Sequence, residues 1–421
     1  MQDNPHTKLT DEESSIMRPV IGLMSGTSAD GIDAAILHSD GTRFSRTDIA
    51  ASYAYDAALR ARIFDAMHDP VALMADSTAC RALSHAITDA HSAAVLDIIK
   101  RLPANADMPR LIGFHGQTIF HEPDANTSSP LGRCTIQLGS GQRLADATNM
   151  DVVYDVRQAD MAAGGQGAPL APVYHAALIA AIDAPCPAVI VNIGGVANLT
   201  YIGTGTHIDD GTQADIIGFD IIGFDTGPGN GLMDDYMRAH FGQPFDDNGR
   251  IAAQGSCDKD FVARVMRHDF FSGSWPKSLD RHAFTHIVAD AGLHDLSPHD
   301  AMASLAALTV AGITHAVDSL PEDVRQIYIA GGGRRNQTLM QQLRAVFGDR
   351  LAGDRLVGDR LAIDARAPSD APFDADMLEA ELMAYLAARH RAGLPTSFPA
   401  TTGCTMPVCG GRLAQPSDQR V

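Results

Sequence analysis

The sequence predicts an α/β fold of two related halves, and three observations predict it. Residues 21–35, IGLMSGTSADGIDAA, read as a strand, a small hydroxyl-rich turn and a second strand. Residues 189–200, VIVNIGGVANLT, repeat that device about one domain length later. Residues 327–336, IYIAGGGRRN, run a buried strand into three glycines and a polar helix start. Small residues let the backbone approach a ligand closely, and successive N–H groups form an anion-binding concavity. Two such hairpins suit a nucleotide's phosphates in a central cleft, although one Gly/Ser turn alone is also an ordinary hairpin.

The elements follow in order. Residues 19–40 give the first hairpin, and the Ala-rich stretch 55–102, with apolar residues at helical spacing, reads as helices. A strand over 110–120 ends at HGQT, a short strand covers 151–156, and the glycine loop after Asp160 opens a helix over 171–182. Pro185 and Pro187 then mark a boundary between the halves. The second half opens with the hairpin 188–202. The pentapeptide IIGFD occurs twice, at 216–220 and 221–225, a tandem duplication expected to lengthen a hairpin; only Asp225 is followed by TGPGN. Helices are expected over 230–240, 261–266, 301–320, 337–347 and 376–390, a strand over 326–330, and a loop plus strand over 349–364. The Thr/Pro/Cys-rich end reads as a surface loop and tail. The domains expected are a disordered tail at 1–17, a first domain over 18–186 completed by 375–421, and a second over 187–374.

Composition narrows the function. The 421 residues fit two to three domains, and 45% apolar content allows sizeable cores. A formal charge of −19 argues against nucleic acid or an anionic membrane as the main partner. No run of apolar residues is long enough to span a bilayer, and the polar, acidic start lacks the pattern of a secretion signal. Cys80, Cys134, Cys186, Cys257, Cys404 and Cys409 show no zinc-ligand spacing and read as free thiols in a reducing, cytoplasmic setting.

Six motifs stand in one order: MSGTSADGID, HGQT, ADMAAGGQGAPL, NIGGVANL, DTGPGN and GGGRRN. Together, over residues from about 19 to about 403, they resemble the anhydro-N-acetylmuramic acid kinase family, within the superfamily of acetate and sugar kinases, heat-shock ATPases and actin. The resemblance implies a two-domain actin-like ATPase or sugar-kinase fold around a nucleotide cleft, with ATP and Mg²⁺ used on an anhydro amino sugar in cell-wall recycling. Another kinase of that superfamily, acting on a different sugar or metabolite, is the alternative. A homodimer is a further expectation of the resemblance.

The resemblance also assigns residues. Asp160, ahead of the small-residue run AAGGQGAP, aligns with the family's catalytic base; it is expected to stay partly wet and to be kept ionised by Arg157. Without the family an Asp so placed reads as a helix N-cap. Gly26, Thr27, Ser28, Asp30, Gly31 and Asp33 match the first nucleotide-binding stretch. Asn192, Gly194, Gly195 and Asn198 match the second phosphate loop, and Asp225, Gly227 and Gly229 a further nucleotide-side loop. Gly331, Gly332, Gly333 and Asn336 match the adenosine-side motif. Superfamily members often carry an acid where this chain has Met24, which leaves the Mg²⁺ position open among Asp30, Asp33 and Asp225. His115, Gln117 and Thr118 are expected to hydrogen-bond the sugar, and Arg143, or else Arg133, to meet its lactyl carboxylate. Glu379 either touches sugar, orders the attacking water or serves the helix dipole. Lys277, in a segment resembling a family Pro-Lys-Ser stretch, is expected near phosphate or at a closing cleft.

Overall fold

The computed structural model describes residues 16–123, 129–182, 184–205, 220–277, 283–351 and 377–417. The chain divides into two units, one of residues 1–170, 377–399 and 403–421, the other of residues 171–376 and 400–402.

The first unit starts with a three-stranded meander, β1 (Arg18–Ser25), β2 (Gly31–Ser39) and β3 (Phe44–Ala54). Helices α1 (Ala57–His68) and α2 (Ser77–Ile98) follow; Asp76 caps α2 by accepting from the N–H groups of Thr78 and Ala79. β4 (Leu111–Glu122) returns parallel to β1, and β5 (Cys134–Leu138) folds back antiparallel on β4. Helix α3 (Gly141–Thr148), strand β6 (Asp151–Tyr154) and the short helix α4 (Gln158–Ala162) bring the chain to Asp160. The core lies between the sheet and α1–α3, with Ile21, Leu23, Ile36, Ile87, Phe114 and Val152 at its centre.

The second unit opens with α5 (Pro172–Ala181), then repeats the meander as β7 (Ala188–Ile193), β8 (Val196–Ile202) and β9 (Ile221–Pro228). Helices α6 (Gly231–Phe241) and α7 (Pro298–Asp318) precede β10 (Gln326–Ala330), which runs parallel to β7, and α8 (Gln337–Phe347) closes the unit. Each unit therefore places a parallel fourth strand beside the first strand of an antiparallel meander. This shared topology is the structural form of the two related halves. Helix α7 is the one described helix long and apolar enough to cross a membrane, and most of it is buried in this unit's core.

The chain then returns to the first unit as α9 (Leu378–Arg391) and β11 (Arg412–Ala414). The resulting sheet order is β11-β6-β4-β1-β2-β3. Helix α9 lies directly on the sheet because β1 and β4 carry glycine beneath it: a Cβ on Gly22 would stand 1.7 Å from the Ala380 carbonyl oxygen, and one on Gly113 1.9 Å from that of Met383. The pair Arg46–Glu381, at 2.7 Å, fastens α9 to β3. Removing one partner of such a shielded pair costs about 3–5 kcal/mol.

Three expectations are corrected here. The boundary falls after Leu170 instead of at 186, because α5 packs on β8 and β9 and His175 Nδ1 hydrogen-bonds Thr200 Oγ1 at 2.8 Å. The chain end is not a loose tail: β11 pairs with β6, and Ser397 bridges to Val408. Strands β3 and β5 are additional to those expected. All of the first copy of IIGFD but Asp220, nearly all of the 1–17 tail and most of 349–364 lie outside the described residues.

Candidate active site

The first unit gathers charge around α4. Asp160, in the first turn of α4, is fully buried. Its Oδ2 accepts the Gly167 N–H at 2.7 Å, and its Oδ1 accepts the Ser397 hydroxyl at 2.5 Å. Gly165 is required here, because a Cβ would come within 2.3 Å of Asp160 Oδ2. The expectation of a partly wet carboxylate is thus corrected: the residue 163–167 loop and Ser397 enclose it. Arg133, expected at most to meet the substrate, instead binds that loop's frame, donating to the carbonyls of Pro123 and Met161 at 2.9 Å and to that of Gly165.

Arg157 stands one turn before Asp160 and close to Glu379. Burial pulls its guanidinium below the usual value, while the negative charges of Glu379 and Asp160 pull the other way. It donates from Nη1 to the Gly167 carbonyl at 2.7 Å, and from Nε and Nη2 to His115 Nε2 at 3.1 and 3.0 Å. His115 Nδ1 meets the Gly116 carbonyl at 2.8 Å, so that nitrogen carries the proton. Burial and the Arg157 charge depress the His115 pKa to about 3, leaving a neutral ring. With both nitrogens engaged, His115 supports Arg157 and is not free for a sugar, a correction to its expected role.

Glu379 keeps an accessible face at the start of α9, yet surrounding protein desolvates it and raises its pKa; Arg157 opposes that rise, and Asp33 adds to it. Arg157 is therefore the cation shared by Asp160 and Glu379, with Asp33 a third carboxylate near Glu379.

The first hairpin turns through residues 26–29, closed by an Ala29 N–H to Gly26 carbonyl bond of 3.1 Å. Thr27, Ser28 and Asp30 are exposed at its tip, and Gly26 and Gly31 are half-buried beside them. Ser28 donates to Asp30 at 2.7 Å, and Ser52 donates to Asp33 at 2.5 Å. Beneath the turn, Ser25 Oγ lies 2.8 Å from Tyr55 Oη and 2.9 Å from His91 Nε2. Gln117, fully buried, donates to the Gly26 carbonyl at 2.9 Å and so ties β4 to the turn. Thr118 Oγ1 accepts from Gln137 at 3.2 Å. Arg143 is corrected as a sugar contact, since its guanidinium is committed to Asp89 at 2.6 and 2.9 Å on the exposed face of α2.

The second unit holds the other loops. The N–H groups of Gly229, Asn230 and Gly231 donate to the carbonyls of Gly195, Gly194 and Gly195 at 3.1, 2.7 and 3.0 Å. The loop containing Gly227 and Gly229 is thereby stitched to the Gly194–Gly195 turn, and those three N–H groups are used internally. Asn192 and Asn198 face each other across β7 and β8, and Asp225 pairs with Asn198 across β8 and β9. Gly331, Gly332 and Gly333 lie at the end of β10, with Gly332 exposed. Asn336, expected to contact the nucleotide, is the N-cap of α8, its Oδ1 accepting the Leu339 N–H at 3.1 Å. Lys277 is likewise structural: its Nζ donates to the carbonyls of Phe270, Phe271 and Gly273, and burial lowers its pKa.

Among the described residues no group of three or more His, Cys, Asp or Glu side chains is set to hold a metal ion. Mg²⁺ commonly takes one or two carboxylates and completes its shell with phosphate oxygens and water. The exposed Asp30 and the half-buried Asp33 suit that smaller demand.

Sequence reasoning missed Ser397, which lies 237 residues from Asp160 in a segment with no motif. It also gave no role to Gln137.

A family model described as anhydro-N-acetylmuramic acid kinase matches residues 18–415. A protein of that name from Rhodopseudomonas palustris (strain HaA2) is 40% identical over 404 residues, spanning 95% of this chain and 100% of its own. Its namesake from Azorhizobium caulinodans is 42% identical over 404 residues, spanning 94% and 99%. Among solved structures, the activator of the 2-hydroxyisocaproyl-CoA dehydratase from Clostridium difficile with bound ADPNP aligns over 89% of this chain and 96% of its own, with 10% identity and a TM-score of 0.42. The chain is a kinase and belongs to the anhydro-N-acetylmuramic acid kinase family.

Proposed function

We propose that this kinase opens the 1,6-anhydro bridge of 1,6-anhydro-N-acetylmuramic acid with water and transfers the γ-phosphoryl group of ATP to O6, in cytoplasmic recycling of cell-wall fragments. The observation that carries the reading is Asp160, gripped by Gly167 and Ser397 and sharing the Arg157 cation with Glu379. The bridged sugar has no free 6-hydroxyl, so phosphorylation requires the C1–O6 bond to break. A water oxygen bonds to C1 and gives one proton to Asp160. O6 leaves C1 with the bond's electron pair and bonds to the γ-phosphorus, and the β–γ bridging oxygen departs with ADP. The products are N-acetylmuramic acid 6-phosphate, ADP and one proton. Such a reaction resembles inverting glycoside hydrolysis with the phosphoryl group in place of the general acid.

The enclosed carboxylate implies that the 163–167 loop or Ser397 yields to admit the water. The turn at Gly26, Thr27 and Ser28 offers backbone and hydroxyl donors to phosphate. Mg²⁺, held by Asp30 or Asp33 together with phosphate oxygens, would neutralise developing charge on the transferring group. The second unit's loops, with Asp225 and Gly331–Gly333, are assigned to the nucleotide on the strength of the motifs.

A second reading makes Glu379 the base, favoured by its accessible face and raised pKa. Kinetics of Asp160→Asn and Glu379→Gln separate the two, since the base's variant loses the pH-dependent limb along with turnover. The substrate claim is tested by supplying anhydro-N-acetylmuramic acid and N-acetylmuramic acid separately with ATP. One ADP per anhydro sugar consumed is expected; phosphorylation of only the open sugar defeats the reading.

A further inference from the structure

The turn of the first hairpin hangs from one buried hydroxyl. Ser25, the last residue of β1, places its Oγ 2.8 Å from Tyr55 Oη and 2.9 Å from His91 Nε2. Tyr55 leads into α1 and His91 lies on α2, so three elements converge on that atom. The direction of each proton follows from the far end of the chain of bonds. His91 Nδ1 lies 2.8 Å from the Ile87 carbonyl, which can only accept, so Nδ1 carries the proton and Nε2 offers a lone pair. Burial depresses the His91 pKa to about 4, which keeps the ring neutral, and burial raises that of the Tyr55 phenol. Ser25 therefore donates to His91, and Tyr55 donates to Ser25. The His91 ring is itself braced edge-on against Phe114, with centroids 4.9 Å apart.

The turn is also drawn inward at its carbonyls. The register between β1 and β4 shifts after Leu23 and sets Ser25 opposite Gln117, whose Nε2 holds the Gly26 carbonyl at 2.9 Å. The Tyr55 N–H holds the Asp30 carbonyl at 3.1 Å. Tyr55 thus grips the turn twice, by its backbone at Asp30 and by its hydroxyl at Ser25. Carbonyl oxygens repel an anion, so a turn that receives phosphate on its N–H groups must keep its carbonyls turned away. Between these anchors Ala29 has a φ of 48°, a left-handed conformation that a Cβ disfavours. Such a conformation persists only where its surroundings over-determine it.

We propose, on the reading that this turn receives phosphate, that Tyr55 and His91 are positioning residues for the nucleotide, fixing the 26–30 turn in its phosphate-receiving shape through the Ser25 hydroxyl. Both side chains are buried beneath the turn, so they act through Ser25 and not by touching ATP. A turn that is already ordered loses less freedom when the ligand arrives, and that saving appears as affinity. The effect belongs to the phosphates alone, because nothing in the network reaches the loops assigned to adenosine in the second unit.

The test is calorimetric titration of the full-length enzyme with ATP and with adenosine, both with Mg²⁺ and without sugar. Tyr55→Phe is expected to raise Kd for ATP about 3- to 10-fold and to leave Kd for adenosine unchanged. Ser25→Ala is expected to cost about 10-fold or more, because it also strands the Tyr55 hydroxyl and the His91 lone pair; Tyr55→Phe alone decides the matter if Ser25→Ala does not fold. In steady-state kinetics Tyr55→Phe should raise KM for ATP and leave KM for the sugar as it was. Tyr53→Phe is the control: it loses a hydrogen bond to Asp97 at 3.0 Å, so it too loses stability, yet it should bind both ligands as the wild type does. Equal losses for ATP and adenosine in Tyr55→Phe mean a general loosening and overturn the positioning role, as does unaltered ATP affinity. Thr27→Pro, which removes an N–H and a hydroxyl from the exposed tip, reads the turn by itself. Unchanged ATP affinity in Thr27→Pro sinks the phosphate reading of the turn; weakened affinity there with none lost in Tyr55→Phe sinks the positioning role alone.

Discussion

Ser397 Oγ donates to Asp160 Oδ1 at 2.5 Å, joining residues 237 positions apart in the chain. The contact exists because α9 carries the chain back over β1 and β4, and the antiparallel bridge from Ser397 to Val408 pins the returning segment. A hydrogen bond to an ionised group contributes about 1.5–3 kcal/mol. Ser397→Ala is therefore expected to lower kcat about 10-fold while leaving KM for ATP nearly unchanged. Asp160→Asn, which keeps the shape, is expected to lose about 10²-fold or more. Steady-state kinetics with both substrates varied checks the pair, and an unaltered kcat in Ser397→Ala removes that serine from a positioning role.

Arg157 holds four partners at once: the His115 ring, the Gly167 carbonyl and the charges of Glu379 and Asp160. Its loss removes the influence that lowers the Glu379 pKa. In Arg157→Gln the Glu379 carboxyl should rise further; on the second reading, with Glu379 as the base, its ionisation is completed at higher pH and the acid limb of the kcat/KM profile moves upward. Activity should fall more at pH 5.5 than at pH 8. Arg157→Lys should rescue only part of this, because one ammonium cannot bond His115 through two nitrogens. A pH–rate profile parallel to the wild type speaks against the electrostatic role.

Much of this arrangement was legible in the sequence. The strands β1, β2, β7, β8 and β10 carry long apolar runs next to glycine turns, and hydrophobic patterning places such runs in sheet cores. Strands β3, β5 and β11 were not legible, because they are half-buried and polar, and pairing with a neighbour defines them more than composition does. Asp160 and Arg157 are near in sequence, so their association was readable. Ser397 was not, since nothing local marks it. The choice between Arg133 and Arg143 was a tertiary matter as well: Asp89 on α2 claims Arg143, whereas the carbonyls of Pro123, Met161 and Gly165 claim Arg133.

Among the described residues three histidines are buried and neutral: His91 with a pKa lowered to about 4, His115 to about 3 and His175 to about 4, each chiefly by desolvation. In the unfolded chain each titrates near 6.5. Between pH 6.5 and about 4 the unfolded state binds protons that the folded state refuses, so stability is full above pH 6.5 and falls as pH drops. Each histidine contributes at most about 1.4 kcal/mol per pH unit to that slope. Tm measured from pH 7.5 to pH 5 should decline, and His91→Gln should flatten the decline while lowering Tm at neutral pH, because the Ser25 hydroxyl loses the acceptor that His91 provides. A Tm that stays level over this range is inconsistent with buried neutral rings.

Gly165 tests the active site without changing any functional side chain. A Cβ there would stand 2.3 Å from Asp160 Oδ2 and 2.7 Å from its Cγ, and the carboxylate is held in place from both ends by Gly167 and Ser397. The added methyl must therefore displace the carboxylate or the loop. Either movement separates Asp160 from its donors and misplaces the base, and small misplacements of catalytic groups cost about 10²-fold. Gly165→Ala is expected to match Asp160→Asn in lost kcat while retaining a folded first unit. Gly273→Ala is the control, since a Cβ there meets nothing closer than 3.4 Å and should leave turnover near wild type. Circular dichroism and steady-state kinetics on both proteins decide it: wild-type kcat in folded Gly165→Ala would mean that the position of the Asp160 carboxylate does not control the reaction.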